Sequence, residues 1–171
     1  MELIDVLTSD GAPTGITKPK ALAHRDGDLH RSVHVWLIAS DGRVLVQLRS
    51  HRKENHPGLW DVSCAGHLSA GESAIDAAIR EADEELGLEL QPNELRHIAT
   101  LRERSVLNRG TYIENEIHEI YVDVRDVDLS ALDLQREEVD DARLVTWDEF
   151  ASLDRVPHDE EYALVSKLVT E

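Results

Sequence analysis

Glu81, Glu84 and Glu85 stand three and four residues apart, the spacing that gathers side chains onto one face of a helix. Like charges so placed repel, at roughly 0.2–0.5 kcal/mol per pair on an isolated helix, so a counterion is expected. Arg80, four residues before Glu84, offers one positive charge against three negative ones. Hard carboxylate oxygens with no soft ligand beside them suit Mg2+ or Mn2+; taken alone, the cluster also reads as a solvated acidic face. A second group lies further on. Glu114, Glu116 and His118 alternate, and alternate residues of a strand project from one face. Three potential ligands are more than a core strand needs, although a solvent-facing side of a sheet would carry them too.

The elements that must position these groups are written in the hydrophobic pattern. From Ser73 to Leu86 the period is 3.6, with Ile75, Ala78, Ile79, Ala82 and Leu86 as an apolar stripe opposite the glutamates. Ser73 and Asp76 form a capping pair, and Gly87 stands where a left-handed helix terminus wants glycine. Upstream, Leu3 to Leu7 and Pro13 to Thr17 flank Ser9-Asp10-Gly11 as a hairpin, and Val33 to Ala39 and Val44 to Arg49 flank Asp41-Gly42 as another. Residues 20 to 32, rich in histidine and charge, connect the two. His56-Pro57-Gly58 breaks the chain before a short strand at Trp60 to Cys64. Strands follow at His97 to Leu101, Tyr112 to Val124 and Ala142 to Val145, then helices from about Trp147 and about His158. The alternation predicts an α/β fold, a mixed sheet covered by helices.

The 171 residues suit one domain with a real core, and 41% hydrophobic against 31% charged residues is a globular rather than a disordered balance. Eighteen Lys and Arg face 35 Asp and Glu, a formal charge of -17. Such a surface repels another polyanion, which makes nucleic acid an unfavourable partner. A small phosphate-bearing molecule stays open if a divalent cation stands between. Cys64 is the only cysteine, so thiolate-rich metal sites and intramolecular disulfides are excluded. The N-terminus has no basic-then-apolar leader, and the longest apolar run, Val35 to Ala39, is too short for a bilayer. The expectation is a cytoplasmic protein without a membrane partner.

Gly66 is followed by Glu72, Arg80-Glu81, Ala82-Asp83, Glu84-Glu85 and Leu86-Gly87-Leu88. This stretch, 66–88, resembles the Nudix box, the signature of hydrolases that cut nucleoside diphosphates linked to another group. The resemblance implies a Nudix-type α/β/α sandwich over 1–171, with residues 1–25 as an added N-terminal hairpin. It implies that Glu81, Glu84 and Glu85 hold the divalent ions, helped by a backbone carbonyl near Ala65 or Gly66, and that Glu72 pairs with Arg80 to fix loop and helix. Metal ions would neutralise the diphosphate and acidify a water, and Glu84 is the first candidate to take the proton.

The likeness extends over nearly all of the chain toward the branch containing isopentenyl diphosphate isomerase, through Lys20, Ala23-His24, Leu29-His30, Arg49 with Lys53, Pro57-Gly58, Trp60, Gly66-His67 and Glu114-Asn115-Glu116. By that resemblance His24, His30, His67, Glu114 and Glu116 would form a second metal site, and Lys20, Arg49 and Lys53 would bind diphosphate. His24 and His30 are one residue closer together than the isomerase pair. Two departures oppose isomerase chemistry. The cysteine that should precede Gly-His is Ala65 here, and neighbouring Cys64 points to the opposite face of a strand. The acidic set that the isomerase has partly lost is intact. The reading is a hydrolase of a nucleoside di- or triphosphate or related nucleotide, with isomerase and a catalytically silent nucleotide sensor as alternatives. Trp36, Trp60, Tyr112, Tyr121 and Trp147 compete between base stacking and core packing. His34 and His97 read as surface or packed histidines, and Gln135 to Glu138 as a loop that is either a solvated turn or a source of a base. The N-terminal hairpin could pair across a homodimer or cover its own sheet edge.

Overall fold

The computed structural model describes residues 1–170. β1 (Leu3–Leu7) and β2 (Pro13–Pro19) form the expected hairpin. It is seated on the protein's own body, with Leu7 N–H donating to the Leu29 carbonyl and Ala70 N–H to that of Leu3, both at 2.8 Å.

Residues 20 to 32 are not a plain connection. Lys20–Asp26 winds into α1, which ends at Gly27 with φ 73° and ψ 28°, the left-handed close that glycine permits. Seven residues are too few for a period to be read, and so short a helix depends on packing: Ala23 and His24 are its buried anchors. β3 (His30–Ile38) then starts three residues before Val33.

β3 meets β4 (Val44–Arg49) only at Ile38 opposite Val44, so the Asp41-Gly42 turn joins strands that at once diverge. The expected strand from Trp60 to Cys64 is divided into β5 (Trp60–Asp61) on β4 and β6 (Cys64–His67) on β3. Ser63 bridges the fork, its Oγ accepting from Leu37 N–H at 2.8 Å and donating to the Leu45 carbonyl. β7 (Arg96–Leu107) runs six residues beyond Leu101, through a polar stretch that hid its alternation, and pairs with β8 (Tyr112–Val124). β8 lies parallel to β3, while β9 (Val139–Val145) lies antiparallel to β4. The sheet is therefore mixed, in the order β5-β4-β3-β8-β7.

α2 (Ala74–Leu86) covers one face of the sheet, packing with Val33, Val35 and Leu37. α3 (Trp147–Ser152) and α4 (Asp159–Thr170) cover the other through Phe150, Tyr162 and Val165 on Trp36, Ile38, Ile120 and Val122. The α/β/α sandwich is as expected. Ser73 Oγ accepts from Asp76 N–H at 3.2 Å and Gly87 closes α2 at φ 67°. Along β3 and β8 the face under α4 changes character. Trp36 and Ile38 continue backward as His34, Ser32 and His30, and Val122 and Ile120 as His118, Glu116 and Glu114. His30 lies opposite Glu116 and Ser32 opposite His118, so one half of a sheet face is core and the other half is polar. No helix among the described residues is long and apolar enough to cross a membrane.

Candidate active site

The polar half of that face is the floor of a cavity of about 640 Å3, walled by α2, the loop before it and the 50–56 and 135–138 loops. Small residues on α2, Ala77, Ala78 and Ala82, are fully buried and let the helix lie close to the sheet. Glu81 and Glu85 are consequently 8% and 3% exposed, pressed into the cavity wall rather than standing on a solvated face. Only Glu84 is exposed. A methyl group at Gly66 would overlap the Glu81 carboxyl, so glycine here makes room for the acid. Glu85 accepts from Gln47 Nε2 at 2.7 Å and from Ala65 N–H at 3.2 Å. Burial, with the charge of Glu85 added, pushes the Glu81 carboxyl up to about 8. Burial alone does most of the work on Glu85, raised to about 7.

Arg80 ties this wall together. Its guanidinium donates to both Glu72 oxygens at 2.8 and 3.0 Å, to Glu81 at 2.8 Å, to Glu84 at 3.2 Å and to the His67 carbonyl at 2.9 Å. The expected Glu72 pair is present, and the same arginine fastens the helix to β6.

Opposite stands a histidine wall. α1 supplies His24, β3 His30, β6 His67 and β8 Glu116, with one ligating atom of each within 4.8 Å of the others. His24 Nδ1 and His30 Nδ1 donate to the carbonyls of Ile113 and Asp28 at 3.0 and 2.8 Å, leaving Nε2 of each to face inward. His24 Nε2 is 3.1 Å from His67 Nε2, and His30 Nε2 is buried without a hydrogen-bond partner, 3.4 Å from Glu116 Oε1. Burial, reinforced by His67, lowers His24 to about 4; burial also lowers His67. In His30 burial is outweighed by Glu116 and the ring is raised. Three imidazole nitrogens aimed inward beside one carboxylate are a donor set that fits a divalent metal. Glu114 is not among them. Its carboxylate is turned to Asn55 Nδ2 at 2.7 Å and Ser105 Oγ at 2.8 Å.

Lys20, Arg49 and Lys53 all line the cavity, and each already has a carboxylate partner: Glu2 at 2.6 Å, Asp61 at 3.0 Å and Glu138. Arg49 is buried and also donates to Asn55. Of the five aromatic candidates only Tyr112 reaches the cavity, stacked on His24 at 4.2 Å; Trp36 packs with Phe150, Tyr162 and Trp147. Ala65 lies opposite His34 and faces the cavity, whereas Cys64 lies opposite Val35 and is sealed in the α2-side core. Gln135, Glu137 and Glu138 line the cavity too. His34 is packed, its Nδ1–H donating to Glu161 at 2.7 Å, and His97 pairs with Glu119 at 2.8 Å. Sequence reasoning missed Glu103 and His158, which gather beside His118. Glu103 sits in the polar run that hid the end of β7, and His158 just before α4, where no pattern marks it.

A buried pair of glutamates on the helix after a glycine that must be glycine, braced by an arginine–glutamate pair, is the arrangement the box resemblance implies. The NUDIX domain model matches residues 28–165. The chain belongs to the NUDIX domain family. It is 41% identical over 152 residues to Nudix hydrolase 3 of Arabidopsis thaliana, covering 87% of this chain but 20% of that protein. The chain thus spans about a fifth of that relative's length. An isopentenyl-diphosphate Delta-isomerase of Streptomyces avermitilis is 32% identical, over 87% of this chain and 73% of its own length. Among solved structures, that of DR0079 from Deinococcus radiodurans superposes with a TM-score of 0.73 at 20% identity, covering 97% of this chain and 98% of that one. That likeness bears on fold. As a Nudix hydrolase the chain is an enzyme of a family that generally acts with divalent metal on diphosphate compounds.

Proposed function

We propose that the chain hydrolyses the diphosphate linkage of a nucleoside di- or triphosphate, or a related small nucleotide, with Mg2+ or Mn2+. It would do so as one domain over residues 1–171, with residues 1–25, the hairpin and most of α1, as an N-terminal extension. The observation that carries this reading is the pair Glu81 and Glu85, two buried carboxyls on one cavity wall with raised proton affinity. A cation would relieve both. Oxygen-only donors from Glu81, Glu85 and the more exposed Glu84, with a carbonyl of Ala65 or Gly66 beside them, fit a hard divalent ion. When bound, such ions neutralise diphosphate oxygens and acidify water.

The chain's own residues supply the rest. Arg80, fixed by Glu72, holds Glu81 and Glu84 in place. Glu84, the most solvent-accessible of the three, takes the proton of the attacking water. Lys20 and Lys53 exchange Glu2 and Glu138 for the incoming diphosphate, while Arg49, buried against Asp61, orders the 50–56 loop around them. Tyr112 is the aromatic surface available to a base or other planar group. His24, His30, His67 and Glu116 form a second metal site, with Glu114 outside its inner set.

Isomerase chemistry is disfavoured because the residue before Gly66-His67, which faces the cavity where the isomerase carries its proton-donating thiol, is Ala65. A silent sensor would have no need of the intact acidic wall. With Cys64 single and buried, the chain suits a reducing compartment such as the cytoplasm. The test is a panel of nucleoside mono-, di- and triphosphates, nucleotide sugars and dinucleoside polyphosphates with Mg2+ or Mn2+, read by product identity. Binding without any phosphate release would favour the sensor; interconversion of isopentenyl and dimethylallyl diphosphate would favour the isomerase.

A further inference from the structure

His118 and His158 on the cavity wall meet Glu103 behind it in another knot of ligating side chains, which the hydrolytic reading does not use. β7 and β8 set Glu103 opposite Glu116, and like charges facing across strands destabilise a sheet. What lies beside them is nitrogen. Glu103 Oε2 is 2.9 Å from His158 Nδ1 and 3.6 Å from His118 Nε2, and one ligating atom of each of the three residues falls within 4.8 Å of the others. Of the remaining ring nitrogens, His118 Nδ1 is held by Ser32 Oγ at 2.6 Å, and His158 Nε2 faces the Asp61 carboxylate at 3.6 Å. Asp61 is in turn held by Arg49 at 3.0 Å. Outer partners of this kind orient the imidazoles of metal sites. Both rings are buried while the Glu103 side chain is 29% exposed, which leaves an approach from solvent.

We propose that Glu103, His118 and His158 form a metal site distinct from the α2 glutamates, taking a divalent ion of the zinc or cobalt class through two imidazole nitrogens and one carboxylate oxygen. Mixed nitrogen and oxygen donors favour such ions over Mg2+. The surrounding charge favours a dication as well, since Asp61, Glu103, Glu116 and Glu161 face the cluster against the single guanidinium of Arg49. The His118 and His158 rings lie 5.6 Å apart, with His34 4.3 and 4.8 Å from them. Three protein ligands leave a coordination position for water or a ligand oxygen. The site shares no ligand with His24, His30, His67 and Glu116, so the two are separable by mutation.

The full chain, stripped with chelator and refilled with Co2+ under excess Mg2+, is read by metal equivalents and by the visible ligand-field bands. Glu103→Gln and His158→Gln should each remove one equivalent and its bands, with circular dichroism unchanged. His67→Asn should remove a different equivalent, additively with Glu103→Gln, and its outcome reports on the other histidine site alone. Retention of the wild-type count and spectrum by Glu103→Gln overturns the proposal, as does a wild type whose whole Co2+ uptake vanishes with His67→Asn. Should the buried His158 variant fold poorly, the partly exposed Glu103→Gln decides.

Discussion

The two walls of the cavity are built in opposite ways. The α2 wall draws Glu81, Glu84 and Glu85 from a single turn of helix, all oxygen donors, and gains its geometry from the helical repeat. The histidine wall draws His24, His30, His67 and Glu116 from one helix and three strands, mostly nitrogen, and exists only once β3, β6 and β8 are in register. The first is a set of oxygen donors made by local chemistry; the second is a set of mostly nitrogen donors made by tertiary structure. If hydrolysis belongs to the helix wall, the two should respond very differently to loss of a ligand.

The largest effect should follow from Glu81→Gln or Glu85→Gln. Each should lower turnover by roughly 10²–10³-fold, the scale of losing one group that stabilises transition-state charge, with the fold retained because a buried, proton-hungry acid is relieved. His67→Asn should lower Mg2+-supported turnover by much less, about tenfold at most on the scale of ligand-environment changes. Equal losses from both walls, measured as kcat on one substrate, would break the distinction. Gly66→Ala should fall between them. The methyl overlaps the Glu81 carboxyl, so turnover should drop about 10–100-fold and Mg2+ affinity with it, whereas a Gly71→Ala control, with open space around its added atom, should leave Mg2+ affinity alone.

How far each wall could be read from the sequence follows from the same contrast. The helix, its Ser73 cap and its Gly87 close are set by neighbours within a few residues, so spacing announced them, while the Glu72–Arg80 pair, eight residues apart, was implied by the family likeness. What spacing could not announce was that Glu81 and Glu85 would be buried, because that depends on Ala77, Ala78 and Ala82 letting the helix approach the sheet. For the histidine wall, the family likeness named the ligands, but α1 was missed since seven residues show no period, and Glu114 was expected inside a cluster that hydrogen bonds to Asn55 and Ser105 draw it out of. Glu103 and His158 had no local signal at all. Their meeting with His118 is a product of β7–β8 register and of where α4 begins.

Proton linkage separates the walls in a second way. Glu81 and Glu85, near 8 and 7 in the fold against an ordinary 4.5, take up protons on folding. The metal-free fold should therefore be favoured at low pH and lose stability as pH rises from about 5 to about 8. Mg2+ offsets that loss, so the rise in Tm on adding it should be larger at pH 8.5 than at pH 6, by about 5 °C for the roughly 1–2 kcal/mol involved in a domain of this size. His24 and His67 are shifted the other way, lowered mainly by burial, so each disfavours the fold as pH falls through the ordinary histidine value of 6.5, whereas in His30 burial is outweighed by Glu116 and the ring is raised. A Mg2+ response flat with pH, followed by thermal melts, would remove the electrostatic argument for the helix wall.

The smallest effect tests the register on which the histidine wall depends. Cys64 sits opposite Val35 and Ala65 opposite His34, and adjacent residues of a strand face opposite ways. Cys64 is fully buried, and burial, then the charge of Glu85, pushes its thiol well above the ordinary range, so a thiol reagent should leave the native wild type untouched until it unfolds. Ala65→Cys adds a second thiol one residue along, on the cavity side, where it should label in the native state at a rate slowed by a saturating nucleotide. The cost to stability should be small, about 1 kcal/mol, because the new side chain is modest and borders open space. Prompt labelling of wild-type Cys64 would mean that β6 is displaced by a residue. His67 would then turn away from His24 and Glu116, and the case for a hydrolase over an isomerase, which rests on an alanine facing the cavity, would fall with it.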